Sequence, residues 1–370
     1  MIRADIDLGA LRNNVGVLRQ LAGSADLMGV VKADAYGHGA QSVAQVLVDT
    51  GVGWLAVATI GEAVELREAG IEAAILVFAA PLPEQLPLYA EYDLRVNVSS
   101  EPVAGFVAEA ARQRGPLTVH VKVDTGMHRL GLAPSDAARV VRQLEETPGV
   151  WVEGLWTHLA TADEPSTEFV GEQVGRFEGV LEDLGEDAPP ILHIANGPAL
   201  VRSLVSPFPA SSSLVRVGGV LYGLASSPGL HRDVEAAGLR PVMRLVSRVV
   251  HLQTVAPGES VSYGRTWVAE RPSRIATVAA GYADGLVRSY AGPVGIGGGR
   301  YPVVGRVCMD MMLVHLGDPD GEGNAVVIGD EATLFGSSGA SAVEAATAAG
   351  TLSYELTSGL TARVPRIELQ

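Results

Sequence analysis

Between residues 27 and 223, short apolar runs rich in Val, Leu and Ile alternate with longer amphipathic stretches that begin or end at Gly, Pro, Ser or Asp. The apolar runs predict eight strands: "LMGVVKA", "WLAVAT", "AAILVFA", "LRVNVS", "TVHVKVDT", "WVEGLWTHL", "ILHIAN" and "LVRVGGVLYG". Helices are predicted between them, in stretches such as "GAQSVAQVLVDTG", "IGEAVELREAG" and "APSDAARVVRQLEE". Nearly continuous apolar strands suit a parallel sheet covered by helices. Eight of them favour a closed (β/α)8 barrel over an open doubly wound sheet.

Before the first of these strands, "IRADIDLGALRNNVGVLRQLAG" reads as a short strand, Asp7 as a helix cap, and a helix closed by Gly23. It lies outside the eightfold count, and residues 1–8 are candidates to pack with the C-terminal domain. From about residue 236 the runs "MRLVSRVVHLQTV", "SRIATVAAGY", "YPVVGRVCMDMMLVHL" and "NAVVIGDEATLFG" are separated by Gly, Pro and Asp turns without long helices. A β-rich second domain is expected, with one late helix around "SAVEAATAAGTLSYEL" and a flexible loop at "GPVGIGGGR". The expected division is a barrel over residues 1–235 and a β-rich C-terminal domain over 236–370.

Composition narrows the class. The 370 residues are too many for one small core and suit two domains. No apolar run is long enough to span a bilayer, and the start of the chain lacks the pattern of an export signal, so neither membrane nor secretion is expected. Cys308 is the only cysteine, which rules out an intrachain disulfide and makes the cytoplasm the default location. Formal charge is −15, spread along the chain, and a field of that sign repels nucleic acid. A small anion in a local pocket is still compatible with it.

Residues at the carboxyl ends of barrel strands face the mouth, where such folds carry their sites. Lys32 ends the first strand, Arg129 follows the fifth, His158 ends the sixth, Asn196 ends the seventh and Arg216 lies on the eighth. By residue type alone Lys32 is a surface lysine and His158 a satisfied core histidine. At a strand end among Gly and backbone groups, however, a desolvated lysine amine is able to form a Schiff base. "VRVGG" after strand eight and "ANGPAL" after strand seven lie where barrels commonly hold phosphate, and Gly197, Gly218 and Gly219 let the backbone come close. The same glycines also suit tight turns. Taken together opposite Lys32, they point to a phosphorylated aldehyde, pyridoxal phosphate. A guanidinium near a barrel mouth needs an acceptor, and for Arg129 and Arg216 a substrate carboxylate is the expected anion. Tyr263 and Tyr282 in glycine turns, with Arg306, Met309 and Asp310, are weak signals taken alone.

In order and approximate spacing, "VVKADAYGHG", "VKVDTGMHRLG", "THLATADE", "VRVGGVLYGL", "VSYGRTW", "GYADGL", "GRVCMDM" and "RVPR" resemble the alanine racemase family of fold-type III pyridoxal phosphate enzymes, over essentially the whole chain. The resemblance implies that Lys32 carries the cofactor and acts as one base, while Tyr263, from the second domain of a partner subunit, acts as the other. It implies a homodimer with shared sites, making D-alanine for peptidoglycan. By the same resemblance, Arg216 meets the pyridine nitrogen and, staying charged, keeps it unprotonated and weakens the ring as an electron sink. His158 packs by the cofactor ring and neighbours Tyr263. Tyr36, Gly218, Gly219, Tyr354 and the loop of Asn196 and Gly197 hold the phosphate. Gly197 stands where the family carries a serine, so a hydroxyl contact is missing while the main-chain N–H at 197 can still donate.

Arg129 and the main chain of Met309 match the pair that holds the substrate carboxylate, and Lys122 matches a lysine carbamylated in some members. Asp163, Tyr282, Arg288, Arg306 and Leu352 match residues at a narrow entrance that favours small side chains. No metal is expected. A racemase acting on serine or on basic amino acids is the alternative within the enzyme class. A protein that carries pyridoxal phosphate without turnover is the alternative outside it, and Tyr263 argues against that reading.

Overall fold

The structure, a computed structural model, describes residues 1–204 and 213–370. Strand β1 (Arg3–Asp7) leads into a helix over Leu8–Ala22, whose first turn is capped by the Asp7 carboxylate accepting from the Ala10 N–H at 2.7 Å. Gly23, at φ 64°, ends that helix. Eight parallel strands follow: β2 (Asp26–Val30), β3 (Trp54–Val57), β4 (Ala74–Val77), β5 (Leu94–Val98), β6 (Leu117–Lys122), β7 (Val150–Trp156), β8 (Ile191–His193) and β9 (Leu214–Val217). Each pairs with its neighbour in chain order, and β9 returns to pair with β2. Parallel bridges Leu192↔Ser213 and Asn196↔Arg216 close the sheet between β8 and β9. All eight predicted strands are present, and the sheet is the expected (β/α)8 barrel.

Closure gives each strand an inner and an outer side with period two. Met28, Val30, Ala56, Leu76 and Leu214 form a buried cluster of their own, backed by Trp54 and Phe78, and they occupy alternate positions on their strands. Continuing that alternation to the carboxyl ends of the strands and just beyond gives Lys32, Lys122, His158, Arg216 and Gly218. The side chains that could do chemistry are therefore the inward row carried one step beyond the apolar filling, and they gather at the carboxyl end of the barrel.

The second domain is built around the long strand β10 (Met243–Val255), which pairs antiparallel with β1, Ser273–Val278 and Glu331–Phe335. The parallel partner of β1 is Arg366–Leu369, so both ends of the described chain lie in this mixed sheet. Two expectations change here. "GPVGIGGGR" is not a loop: Val294–Ile296 and Gly299–Tyr301 form an antiparallel hairpin whose turn, Gly297 and Gly298, has φ 57° and 87°. Two positive φ values in succession are what a two-residue hairpin turn of this hand requires. The single late helix is two, Ala342–Ala349 and Ser353–Ser358, separated where Gly350 turns left-handed at φ 73°.

Candidate active site

A cavity of about 800 Å³ opens at the carboxyl end of the barrel. Its lining holds most of the predicted site: Lys32, Tyr36, Lys122, Arg129, His158, Asp163, Asn196, Gly197, Arg216, Gly218, Gly219, Leu352 and Tyr354.

Lys32 is presented by a backbone the sequence did not suggest. The glycine-rich turn expected there is a turn of left-handed helix made by non-glycine residues, Ala33–Tyr36, with φ between 52° and 54°. Such a turn costs an L-residue chain roughly 1–2 kcal/mol per residue, so its surroundings must hold it. Glu62 Oε1 accepts from the Ala33 N–H at 2.7 Å, and Asp34 Oδ1 accepts from the Ala40 N–H at 2.7 Å. The buried His38 ring reaches back with Nδ1 3.0 Å from both the Ala35 and the Tyr36 carbonyls. Arg366 Nε donates to Gly37 O at 2.9 Å, which ties the turn to the second domain. Burial, and then the nearby Arg129 charge, lower the Lys32 pKa, in the direction a Schiff-base lysine needs.

Another part of the cavity suits an anion. Among the described residues the N–H groups of Gly197, Gly218 and Gly219 donate to no protein acceptor. A Cβ on Gly218 would lie 2.6 Å from the Tyr36 hydroxyl, and one on Gly219 would overlap the Tyr354 ring. Glycine is thus required for two phenols to close over this loop. Tyr36 and Tyr354 meet edge to face with centroids 5.7 Å apart, and burial raises both hydroxyls, Tyr36 to about 12, so both remain O–H donors. Asn196 caps the next helix, its Oδ1 accepting from the Ala199 N–H at 3.1 Å while Nδ2 donates to Leu159 O at 3.3 Å.

Arg216 is 3% exposed, and backbone carbonyls rather than an anion satisfy it. Nη1 donates to His193 O at 2.7 Å and faces His193 Nδ1 at 3.3 Å, while Nη2 donates to Thr157 O at 2.7 Å and Ile194 O at 3.0 Å. Four of its five N–H groups are thereby committed within the protein. Nε–H has no acceptor among the described residues. Burial lowers this guanidinium to about 9, which leaves it charged at neutral pH. Arg129 is exposed in the single chain, at the edge of this cavity. Lys122 is buried with Nζ 4.6 Å from the Trp156 ring centroid, and burial together with Arg129 and Arg216 lowers it to about 8. Burial, then the charges of Arg216, Arg129, Lys122 and Lys32, keep His158 neutral.

Asp163 belongs to the same wall, its Oδ2 accepting from Ser226 Oγ at 2.6 Å. Tyr263, Tyr282, Arg288, Arg306 and Met309 do not line this cavity. Tyr263 is 64% exposed on the second domain, and Tyr282 and Met309 are also exposed. Two of these residues are joined there through the backbone, the Tyr282 N–H donating to Cys308 O at 3.1 Å and the Ala283 N–H to Met309 O at 2.9 Å, and the Arg306 side chain lies beside Gly264. Sequence reasoning passed over Trp156, which stacks on His193 at 11° with centroids 5.4 Å apart and receives the Lys122 and Arg216 cations. Its inward position, two residues before His158, was the available signal.

The alanine racemase N-terminal domain family matches residues 6–226, and the alanine racemase C-terminal domain family matches residues 242–368. An alanine racemase of Halothermothrix orenii is 40% identical, over 98% of this chain and 95% of the relative. One of Thermobifida fusca is 39% identical, over 98% and 97%. The biosynthetic alanine racemase of Pseudomonas aeruginosa superposes with a TM-score of 0.89 at 38% identity, over 100% of this chain and 99% of that one. An alanine racemase of Bacillus anthracis, solved with bound L-Ala-P, gives 0.88 at 33% identity, over 100% and 95%. With matching domains laid end to end along the sequence and relatives of this likeness along its whole length, the chain belongs to the alanine racemase family.

Proposed function

We propose that this chain interconverts L- and D-alanine for peptidoglycan in the cytoplasm, with pyridoxal phosphate resident at the barrel mouth and each site completed by a second copy of the chain. The observation that carries this reading is the division of donors around one cavity. An amine of lowered pKa stands in it, with a buried guanidinium whose Nε–H is uncommitted among the described residues and, beside two phenols, three peptide N–H groups that have no acceptor among them either. Those residues fit an aldehyde, a ring nitrogen and a phosphate respectively. When bound, the cofactor supplies electron withdrawal from the amino acid's Cα.

The remaining work falls to the chain's own groups. Lys32 Nζ holds the cofactor at rest and moves a proton on one face of Cα. Tyr263 of the partner subunit moves a proton on the other, since inversion requires one base to remove it and a second to return it from the far side. Arg129 and the partner's Met309 N–H orient the carboxylate, and His158, kept neutral, packs beside the ring without adding charge. Asp163 and Leu352 of the chain, with Tyr282, Arg288 and Arg306 of the partner subunit, narrow the entrance and select small side chains. Borohydride reduction followed by peptide mapping tests the anchor, and turnover on a panel of amino acids tests the specificity. Label on Lys32 and rates highest for alanine are expected; a colourless protein that leaves L-alanine unchanged overturns the reading.

A further inference from the structure

Beneath Arg216 a buried polar chain runs down the barrel interior. His193 Nε2 lies 2.9 Å from His120 Nδ1, His120 Nε2 lies 3.0 Å from Glu153 Oε2, and Arg95 Nε donates to that same oxygen at 3.1 Å. Both imidazoles are fully buried and Glu153 is 4% exposed. Arg95 continues to the exposed Asp93 carboxylate at 3.0 Å, so the chain spans the barrel from mouth to base. The backbone is shaped for it. Pairing between β6 and β7 passes from Val119↔Val152 to His120↔Gly154, which makes Glu153 the extra residue of a bulge and turns it inward out of the strand's alternation. A Cβ on Gly154 would overlap the His120 ring, so glycine at 154 admits that ring.

The two ends fix the protons between them. Arg216 can only donate, so His193 Nδ1 accepts and its proton sits on Nε2. His120 Nδ1 must then accept, and its proton also sits on Nε2, aimed at an acceptor-only carboxylate. A doubly protonated His120 would reverse His193 and set its N–H against the Arg216 N–H. Burial favours the same neutral pair, while the His120 N–H and the Arg95 charge together outweigh the burial of Glu153 and hold it ionised.

We propose that Glu153 is a positioning residue for Arg216, its charge ordering and polarising the His120–His193 chain so that the guanidinium is held with Nε–H turned to the cavity. This rests on the reading that Arg216 meets the cofactor's ring nitrogen. Charge on a remote carboxylate then tunes the electron demand of the site without touching substrate.

The test uses the holoenzyme with 15N-labelled histidine, assigned by single histidine substitutions. Long-range 15N–1H correlation is expected to show His120 and His193 neutral and protonated on Nε2; a proton on Nδ1 of either, or a doubly protonated ring, overturns the proposal. Glu153→Gln keeps the volume and an oxygen for both donors while removing the charge. It is expected to shift the visible absorption of the bound cofactor and to lower kcat roughly two- to thirtyfold with little change in KM, and Arg216→Lys is expected to shift the same band. A band moved by Arg216→Lys but not by Glu153→Gln leaves Glu153 a packing residue and overturns the proposal alone. A band moved by neither overturns the reading of Arg216, and the proposal with it.

Discussion

The Cβ that Gly197 lacks would lie 2.5 Å from Cγ2 of Val220. The missing hydroxyl at this position is therefore coupled to a neighbour, because a serine fits only if Val220 turns or shrinks. Gly197→Ser alone is expected to lose about 1–3 kcal/mol through overpacking, read as a lower thermal midpoint. Gly197→Ser with Val220→Ala is expected to recover that loss and to retain pyridoxal phosphate more tightly than the unaltered chain in equilibrium dialysis, since a hydroxyl then joins the free N–H groups at 218 and 219. An unchanged midpoint for Gly197→Ser would mean that Val220 moves aside freely.

Lys122 is poised for carbamylation. Its Nζ is buried beside Trp156 near two guanidiniums, and its pKa falls from the ordinary 10.5 to about 8, so a free amine is available at mildly alkaline pH. The amine nitrogen attacks carbon dioxide, a proton leaves, and the resulting anion offsets the charges of Arg129 and Arg216. With 13C-bicarbonate, a carbamate resonance should grow at about pH 9, be weak at about pH 6.5, and be absent from Lys122→Ala. The linkage runs the same way: with the folded pKa depressed, Lys122 favours the folded state fully only above 10.5, and that contribution is lost as pH falls through about 8. Carbamylation would offset part of this loss.

Arg216→Lys should be far from conservative. An ammonium has three N–H groups and no planar fork, so it cannot serve the carbonyls of Thr157, His193 and Ile194 and also present a donor to the cavity. Leaving a buried carbonyl without a donor costs about 1–3 kcal/mol, visible as a lower urea midpoint. Loss of a preorganised donor should lower kcat by roughly a hundredfold. A variant with unchanged midpoint and turnover would show that the fork is dispensable.

Period-two alternation made the barrel and the inward row legible in the sequence, which is why Lys32, His158 and Arg216 fall at one mouth. What alternation cannot carry is a break in itself. Glu153 faces inward only because a bulge adds a residue, and nothing in "WVEGLW" marks the slip. The left-handed turn was hidden for a different reason: Ala33–Tyr36 have no local preference for positive φ, and side chains as remote as Glu62 and Arg366 impose it. "GPVGIGGGR" was misread because paired glycines mark loops and tight hairpins alike. Tyr263 was legible only through the ordered motifs, since its position outside the chain's own cavity is not a local property.

That position makes the last prediction quantitative. Tyr263 is exposed on the second domain, and Lys32 stands in a cavity that Tyr263 of the same chain does not line. If each site joins Lys32 of one copy to Tyr263 of the other, neither Lys32→Ala nor Tyr263→Phe alone has an intact site. A mixed dimer has one, because its Tyr263→Phe copy still supplies Lys32 and its Lys32→Ala copy still supplies Tyr263. Its other site combines both losses. Random exchange of equal amounts makes half the dimers mixed, each with one of two sites restored, so activity should return to about a quarter of the unaltered protein's value. Native mass spectrometry of differently tagged copies measures the exchange independently. Full exchange with no return of activity would place both bases within one chain, and activity already present in either variant alone would remove that residue from the reaction.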